Sequence, residues 1–253
     1  MTGTVRLLQI DSSARPGRHG IDPRGSHTRS LTSRFVRRWL ARRPGDEVIY
    51  RDVGASPPSP ISGEWVRAAF TAPERRTDEM RRALAESDLL IDELRRADVL
   101  VLGAPLYNFS MPASLKAWID NIVRIGVTFD FDPDGSPDDP YAPLLTDRPR
   151  MAVILSSRGG HGLDPGGPYA HMNHLEPSLR TVLGFIGIDD VYQAAVEHQE
   201  HGGALLAESV RRAERRVDEL VEELVARRSV ASAEDGARTP AVTAPLAASA
   251  AAR

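Results

Sequence analysis

The 253-residue sequence predicts an α/β protein, a doubly wound parallel sheet in a three-layer α/β/α arrangement. Short, almost wholly apolar runs recur five times, as strands buried on both faces require. Segments with apolar residues at helical spacing separate these runs, and strand alternating with helix implies right-handed crossovers over a covered sheet. With 41% hydrophobic and 26% charged residues, the chain has the balance of a globular protein rather than of a disordered or membrane-embedded one.

The first strand is expected over residues 5–10, where an apolar run ends in Asp11, Ser12 and Ser13. Residues 14–25, rich in Gly, Pro and Arg, read as a loop. From Ser26 or His27 to Arg43, Leu31, Phe35, Val36, Trp39 and Leu40 recur at helical spacing, and Pro44-Gly45 supplies the stop. A second strand is expected over 47–53, followed by an irregular Pro-rich stretch over 56–61. One long helical segment then ends at Leu89, Leu90, Leu94 and Ala97, and residues 98–102 form a third strand.

Pro112 stands where the next helix begins, over 113–123. Residues 130–147, acidic and Pro-rich, read as an inserted loop. A fourth strand over 151–155 runs into Ser156-Ser157-Arg158-Gly159-Gly160. A helix carrying Leu175, Leu179, Val182, Leu183 and Ile186 follows, then a fifth strand over 191–196 and an amphipathic helix over 204–226. The expected organisation is one domain over residues 1–228 and a disordered Ala/Ser/Pro-rich tail over 229–253, which has too little apolar surface to offset chain entropy.

The formal net charge is −3, and Lys116 is a single lysine among 32 basic residues. Arginines and acids are interleaved without a basic block, so nucleic acid is not an expected partner. No run reaches the roughly 18 apolar residues of a membrane span, and no targeting signal opens the sequence, so a cytoplasmic protein without a membrane partner is expected. The absence of cysteine excludes disulfides, thiolate metal sites, iron–sulfur clusters and a cysteine nucleophile. Any redox chemistry must therefore come from a bound cofactor.

In an open parallel sheet, ligands bind beyond the carboxyl ends of the strands. The loop after the first strand offers Ser13 and, at a helix start, Ser26, His27 and Thr28. Hydroxyls and free N–H groups there suit a phosphate, although Ser26 or Thr28 also serves as a plain helix cap. Leu106-Tyr107-Asn108-Phe109 combines aromatic rings with an amide, which suits a flat heteroaromatic ligand, or aromatics packed on the sheet. Arg158-Gly159-Gly160 admits a close approach of backbone N–H groups, or forms an ordinary turn. Neither a P-loop nor a G-x-G-x-x-G motif follows a strand, so a mononucleotide is favoured over a dinucleotide or a nucleoside triphosphate.

Taken in order, Ser13, Ser26-His27-Thr28, Ala104-Pro105-Leu106-Tyr107-Asn108-Phe109, Pro112-x-x-Leu115-Lys116-x-x-Ile119-Asp120, Gly126-Val127-Thr128-Phe129, Ser157-Arg158-Gly159-Gly160 and Leu183-Gly184-Phe185-Ile186-Gly187 resemble the FMN-dependent NADH azoreductases of the flavodoxin-like quinone reductases. The resemblance covers about residues 4–225. It implies a flavodoxin-like fold with sheet order 2-1-3-4-5 and a homodimer with FMN at the subunit interface. On this sequence Ser13, Ser26, His27 and Thr28 would hold the FMN phosphate. Leu106, Tyr107, Asn108 and Phe109 would border the flavin ring, and Ser157, Arg158, Gly159 and Gly160 would contact its pyrimidine side. Phe109, Phe131 and Phe185 match positions lining the substrate face.

The implied reaction is two-electron reduction of a quinone or azo compound, a small planar aromatic substrate, by NADH or NADPH in a ping-pong cycle through flavin N5. It needs no catalytic side chain. A flavin-binding electron carrier without nicotinamide turnover would keep the same loops, and so would a reductase specialised for one quinone or aromatic biosynthetic intermediate. The segment between Ser13 and Ser26 is longer than in the azoreductases, which brings Arg15 and Arg18 into consideration as phosphate ligands.

Other patterns carry less. Asp130-x-Asp132-x-Asp134-Gly135 imitates the opening of a calcium loop, but position twelve is Tyr141 where a bidentate Glu is needed. His171 with His174, and Glu197-His198 with Glu200-His201, lack a third ligand group, so no metal is expected. Ser156 and Ser157 sit in no G-x-S-x-G elbow. Asn108-Phe109-Ser110 is a chance glycosylation match.

Overall fold

The computed structural model describes residues 3–238 except 23, 135, 137 and 139, with side chains described as far as residue 228. In chain order the elements are β1 (Arg6–Asp11), α1 (His27–Arg42), β2 (Glu47–Asp52), α2 (Gly63–Ala69), α3 (Asp78–Arg96), β3 (Val99–Pro105), α4 (Ala113–Ile122), β4 (Phe129–Phe131), β5 (Tyr141–Pro143), β6 (Met151–Ser157), α5 (Glu176–Phe185), β7 (Asp190–Val196) and α6 (Gly203–Arg238). Single 3₁₀ turns lie at Pro73–Arg75 and Ala170–Met172.

Five strands form one parallel sheet in the order β2-β1-β3-β6-β7. This corrects the expected numbering 2-1-3-4-5. The 130–147 segment, expected to be loop, contributes two short antiparallel strands, with Phe129 opposite Pro143 and Phe131 opposite Tyr141, and these advance the count without joining the main sheet.

Side chains alternate across each strand. Leu8, Ile10, Leu100, Leu102, Ala152 and Ile154 face one layer with α3, α4 and α5. Leu7, Val99, Val101, Val153, Leu155 and Val196 face the other with α1 and α6. Every residue of β3 and β6 is buried, which is why these two strands read as unbroken apolar runs. Each large aliphatic side chain so removed from water contributes about 1.5–3 kcal/mol.

Two helical expectations differ. The long segment before β3 is two helices, because Pro73 interrupts the ladder and Ser62 and Thr77 each cap a new start, accepting from the N–H groups of Trp65 and Met80. The last helix continues to Arg238, past the expected end at residue 226. Residues 239–253 of the expected tail lie outside the described residues, as do Gly135, Pro137 and Asp139 of the acidic loop. No described helix is long and apolar enough to cross a membrane.

From β1 the chain passes to β2 on one side, and the later strands extend on the other. Connections therefore diverge at the β1/β3 boundary, opening a crevice beyond the carboxyl ends of those strands.

Candidate functional site

The crevice is built from the loops that leave β1, β3, β6 and β7. At its first end, Asp11, Ser12 and Ser13 are buried. Ser12 is spent on structure, its N–H and hydroxyl both donating to the Gly103 carbonyl at 3.0 and 2.8 Å. Ser13 faces the cavity and its Oγ accepts from the Arg15 N–H at 3.2 Å. Ser26 caps α1, its Oγ accepting from the Arg29 N–H at 3.4 Å and lying 2.9 Å from Thr28 Oγ1. Ser26 therefore both caps α1 and borders the cavity. Thr28 is wholly buried and its side chain turns to Ser26, so Ser13, Ser26 and His27 line the cavity and the Thr28 hydroxyl does not. The first N–H groups of α1 have no intrahelical acceptor and are available to an anion.

Arg29 braces this end. Its guanidinium donates to both Asp52 oxygens at 2.6 and 2.7 Å, to the Ser13 carbonyl at 2.9 Å and, through Nε, to the Arg15 carbonyl at 3.0 Å. Burial alone would push the Asp52 carboxyl up, but the Arg29 hydrogen bonds, the Ala55 N–H and the Arg29 charge hold it below the usual carboxylate range. Gly54 lets the chain leaving β2 pass close to Ser13, where a Cβ would collide with the Ser13 carbonyl. Burial, with His19 and Arg15 nearby, pushes the His27 imidazole down to about 4.

Beyond β3, Tyr107 and Ser110 exchange backbone hydrogen bonds at 2.9 and 3.0 Å around a two-residue turn. Both turn residues are left-handed, Asn108 at φ 47° and Phe109 at φ 69°. Asn tolerates this region, whereas for Phe it costs roughly 1–2 kcal/mol. The turn holds the Phe109 ring 49% exposed at the mouth of the crevice, anchored by the His174 N–H donating to the Phe109 carbonyl at 2.9 Å.

Beyond β6, the carbonyls of Arg158, Gly159 and Gly160 accept from Gln199, Glu200 and His198 of the loop after β7. The N–H groups of Gly159 and Gly160 have no acceptor among the described residues and border the cavity. Arg158 differs from expectation. It is fully buried and turned beneath the loop, donating to Glu176 Oε1 at 2.6 Å and pairing with Asp164 at 2.8 Å. Its side chain lines neither lobe of the cavity.

The space between these loops has two lobes. A polar lobe of about 370 Å³ runs past Ser13, Arg15, Ser26, His27, Tyr107 and Ser157. A more apolar lobe of about 550 Å³ is walled by Asn108, Phe109, His161, Leu163, Tyr169 and Met172. Leu106, Gly159 and Glu200 border both. The arrangement fits an elongated ligand with an anionic end at α1 and a flat, polar-edged ring at Gly159.

The three phenylalanines are not brought together in one chain. Phe131 and Phe185 lie in a separate aromatic cluster with Phe129 and Tyr141, Tyr141 bridging them with ring centroids 5.5 Å from Phe131 and 5.4 Å from Phe185. Sequence reasoning missed Arg29, Asp52, His161, Tyr169, Met172, Gln199 and Glu200 as builders of the site. The last two follow the carboxyl end of β7, so the strand-end rule that located the other three loops also reaches them. Among the described residues, no group of three or more His, Asp or Glu could hold a metal ion.

A family model described as a flavodoxin-like fold matches residues 6–221. A Pseudomonas aeruginosa protein named FMN-dependent NAD(P)H:quinone oxidoreductase 1 is 47% identical over 213 residues, 84% of this chain and 96% of its own length. FMN-dependent NADH:quinone oxidoreductase 2 of Idiomarina loihiensis is 44% identical over 218 residues, 86% of this chain and 90% of its own. The crystal structure of an azoreductase from Bacillus anthracis superposes with a TM-score of 0.74 at 22% identity, covering 87% of this chain and all of that one, a likeness of fold.

Proposed function

This chain belongs to the flavodoxin-like family of FMN-dependent NAD(P)H:quinone oxidoreductases, and from that membership we propose that it passes two electrons from NADH or NADPH to quinones or azo compounds through bound FMN. The observation that carries this reading is the two-lobed cavity at the β1/β3 divergence, polar at the α1 end and apolar at the Phe109 end. The donor set fits FMN: serine hydroxyls and free helix N–H groups suit its phosphate, and the unpaired N–H groups of Gly159 and Gly160 suit the acceptor atoms of its pyrimidine edge.

FMN, when bound, supplies hydride chemistry that no side chain here can perform. The chain's part is to bind and orient. Ser13, Ser26 and His27 hold the phosphate end, and Arg29 keeps the loops that carry them at a fixed separation. The glycine N–H groups stabilise negative charge where it develops on the ring edge. Phe109, Tyr169 and Met172 offer apolar surface on which a nicotinamide and then a planar acceptor stack in turn. A site shared by donor and acceptor gives ping-pong kinetics.

The exposed Phe131 and Tyr141 rings belong to this reading as contacts for a second copy, in a homodimer where Phe131 and Phe185 complete a partner's substrate face. Purified protein should bind added FMN, lose the flavin absorption band on anaerobic addition of NADH or NADPH, and regain it with menadione or an azo dye. Protein that binds FMN but is not bleached by either nucleotide would be an electron carrier, and protein that takes up no FMN would end the proposal.

A further inference from the structure

The segment 14–25 is folded back onto the start of α1. The Ser26 N–H donates to the Gly17 carbonyl and the His19 N–H to the Ser26 carbonyl, each at 3.1 Å, while Ser30 Oγ donates to the His19 carbonyl at 3.1 Å. Gly25 permits the contact, since a Cβ there would collide with the Arg18 carbonyl. This latch lays the His19 ring on that of His27, with centroids 3.8 Å apart and planes inclined by 33°.

His27 is 5% exposed, lines the polar lobe, and its ring nitrogens have no hydrogen-bond partner among the described residues. Both ring nitrogens keep access to the open lobe, where the oxygen of an anionic ligand can reach them. Arg15, on the same segment, also lines this lobe and forms no ion pair with a described residue. On the other walls, Tyr107 after β3 and the exposed Glu200 after β7 are the remaining titratable groups of the lobe. Elsewhere on the segment, Arg18 donates to Ser33, and the Asp22 carboxylate accepts from the Arg18 N–H. Within α1, Arg29 is committed to Asp52.

We propose that His27, with His19 stacked on it, takes up a proton from solvent when the phosphate of FMN enters the polar lobe, so that binding of the phosphorylated cofactor is coupled to protonation of this chain. The inference rests on the FMN reading above and adds the residue pair that senses the phosphate. In the absence of ligand, burial, the second imidazole, the Arg15 charge and the positive end of α1 disfavour the His27 cation. A phosphate dianion in hydrogen-bond contact reverses the sign of the local field, and an opposite charge at such range moves a pKa by roughly 1–3. From about 4 this carries the imidazole toward the physiological range. The proton gained stands on a ring nitrogen and makes it a charge-assisted donor to a phosphate oxygen.

The test is FMN binding to flavin-free full-length protein between pH 5.5 and 7.5, by quenching of flavin fluorescence and by calorimetry in two buffers of different ionisation enthalpy. Lowering the pH protonates the phosphate itself, whose second pKa is about 6, and by itself weakens binding. His27→Gln is expected to show that weakening, whereas the native chain offsets it, so the affinity ratio between the two pH values should differ by roughly threefold to tenfold. Proton uptake on FMN binding should be larger in the native chain than in His27→Gln, and that difference between the two chains should vanish with riboflavin, which lacks the phosphate. His19→Gln, at an exposed position that leaves α1 intact, should alter proton uptake without abolishing binding. Equal proton uptake in the native chain and His27→Gln, with FMN bound by both, overturns this inference and leaves the FMN reading standing. Failure of the native chain to bind FMN at any pH overturns both.

Discussion

Arg158 donates to Glu176 Oε1 at 2.6 Å with both side chains buried, so the arginine of the glycine-bearing loop points away from the cavity it borders in sequence. Ser156 Oγ donates to the same carboxylate oxygen at 2.6 Å, and Asp164 pairs with Arg158 at 2.8 Å. The guanidinium thus ties the end of β6 to the start of α5 and to the loop that carries the apolar lobe. Removing one member of a buried pair strands the other charge, at a cost of about 3–5 kcal/mol. Arg158→Ala should lower unfolding stability by that amount in urea, whereas Arg158→Met combined with Glu176→Met should lose much less. A single variant as stable as the native chain would show that the pair does not brace the loop.

The Arg29–Asp52 pair links stability to pH. The Asp52 carboxyl is held below its ordinary value, so its contribution is fully present above the unfolded value of about 4 and is lost as the pH falls through the lower folded value. Asp52→Asn should therefore be less stable than the native chain near neutrality and converge with it in acid. Urea midpoints measured from pH 2.5 to 7 test this, and parallel curves for the two proteins would exclude it.

Gly160 has open space where a Cβ would stand, so Gly160→Val should fold with stability within about 1 kcal/mol of native. The same side chain would project into the approach to the free N–H groups of the loop. FMN affinity, read by fluorescence titration, should fall at least tenfold, about 1.4 kcal/mol. Unchanged affinity would remove Gly160 from the site.

Phe109 is strained and exposed at once. Phe109→Gly should relieve about 1 kcal/mol of backbone strain and leave the thermal midpoint unchanged or higher. It also deletes an aromatic wall. KM for a planar quinone, read by steady-state kinetics with the loaded enzyme, should rise severalfold while FMN stays bound, and an unchanged KM would show that Phe109 serves only to shape the turn.

Much of this architecture was legible from residue patterns. β3 and β6 announce themselves as apolar runs because both faces of each are covered, and Ser26 marks the start of α1 because a hydroxyl can accept from the N–H three residues on. Local chemistry of this kind is written in adjacent residues. The split between α2 and α3 was legible too, in Pro73 and Thr77, but the apolar spacing around them concealed it. The hairpin of β4 and β5 was not, since three-residue strands carry too little periodicity to stand out from a Pro-rich loop.

Residue types and their order were enough to reach an α/β sheet with an open crevice beyond the strand ends, and the ordered motifs pointed to a flavin family. Side-chain direction was beyond their reach. Whether Arg158 faces a ligand or Glu176, and whether Phe131 stands beside Phe109 or Tyr141, depends on partners 10 to 20 residues away. A buried charge goes where an opposite charge can pair with it, and a ring goes where it finds apolar contact. Those partners are assembled only when the chain folds. The stacking of His19 on His27, which follows from a loop latched back across the start of α1, is one more contact of that kind.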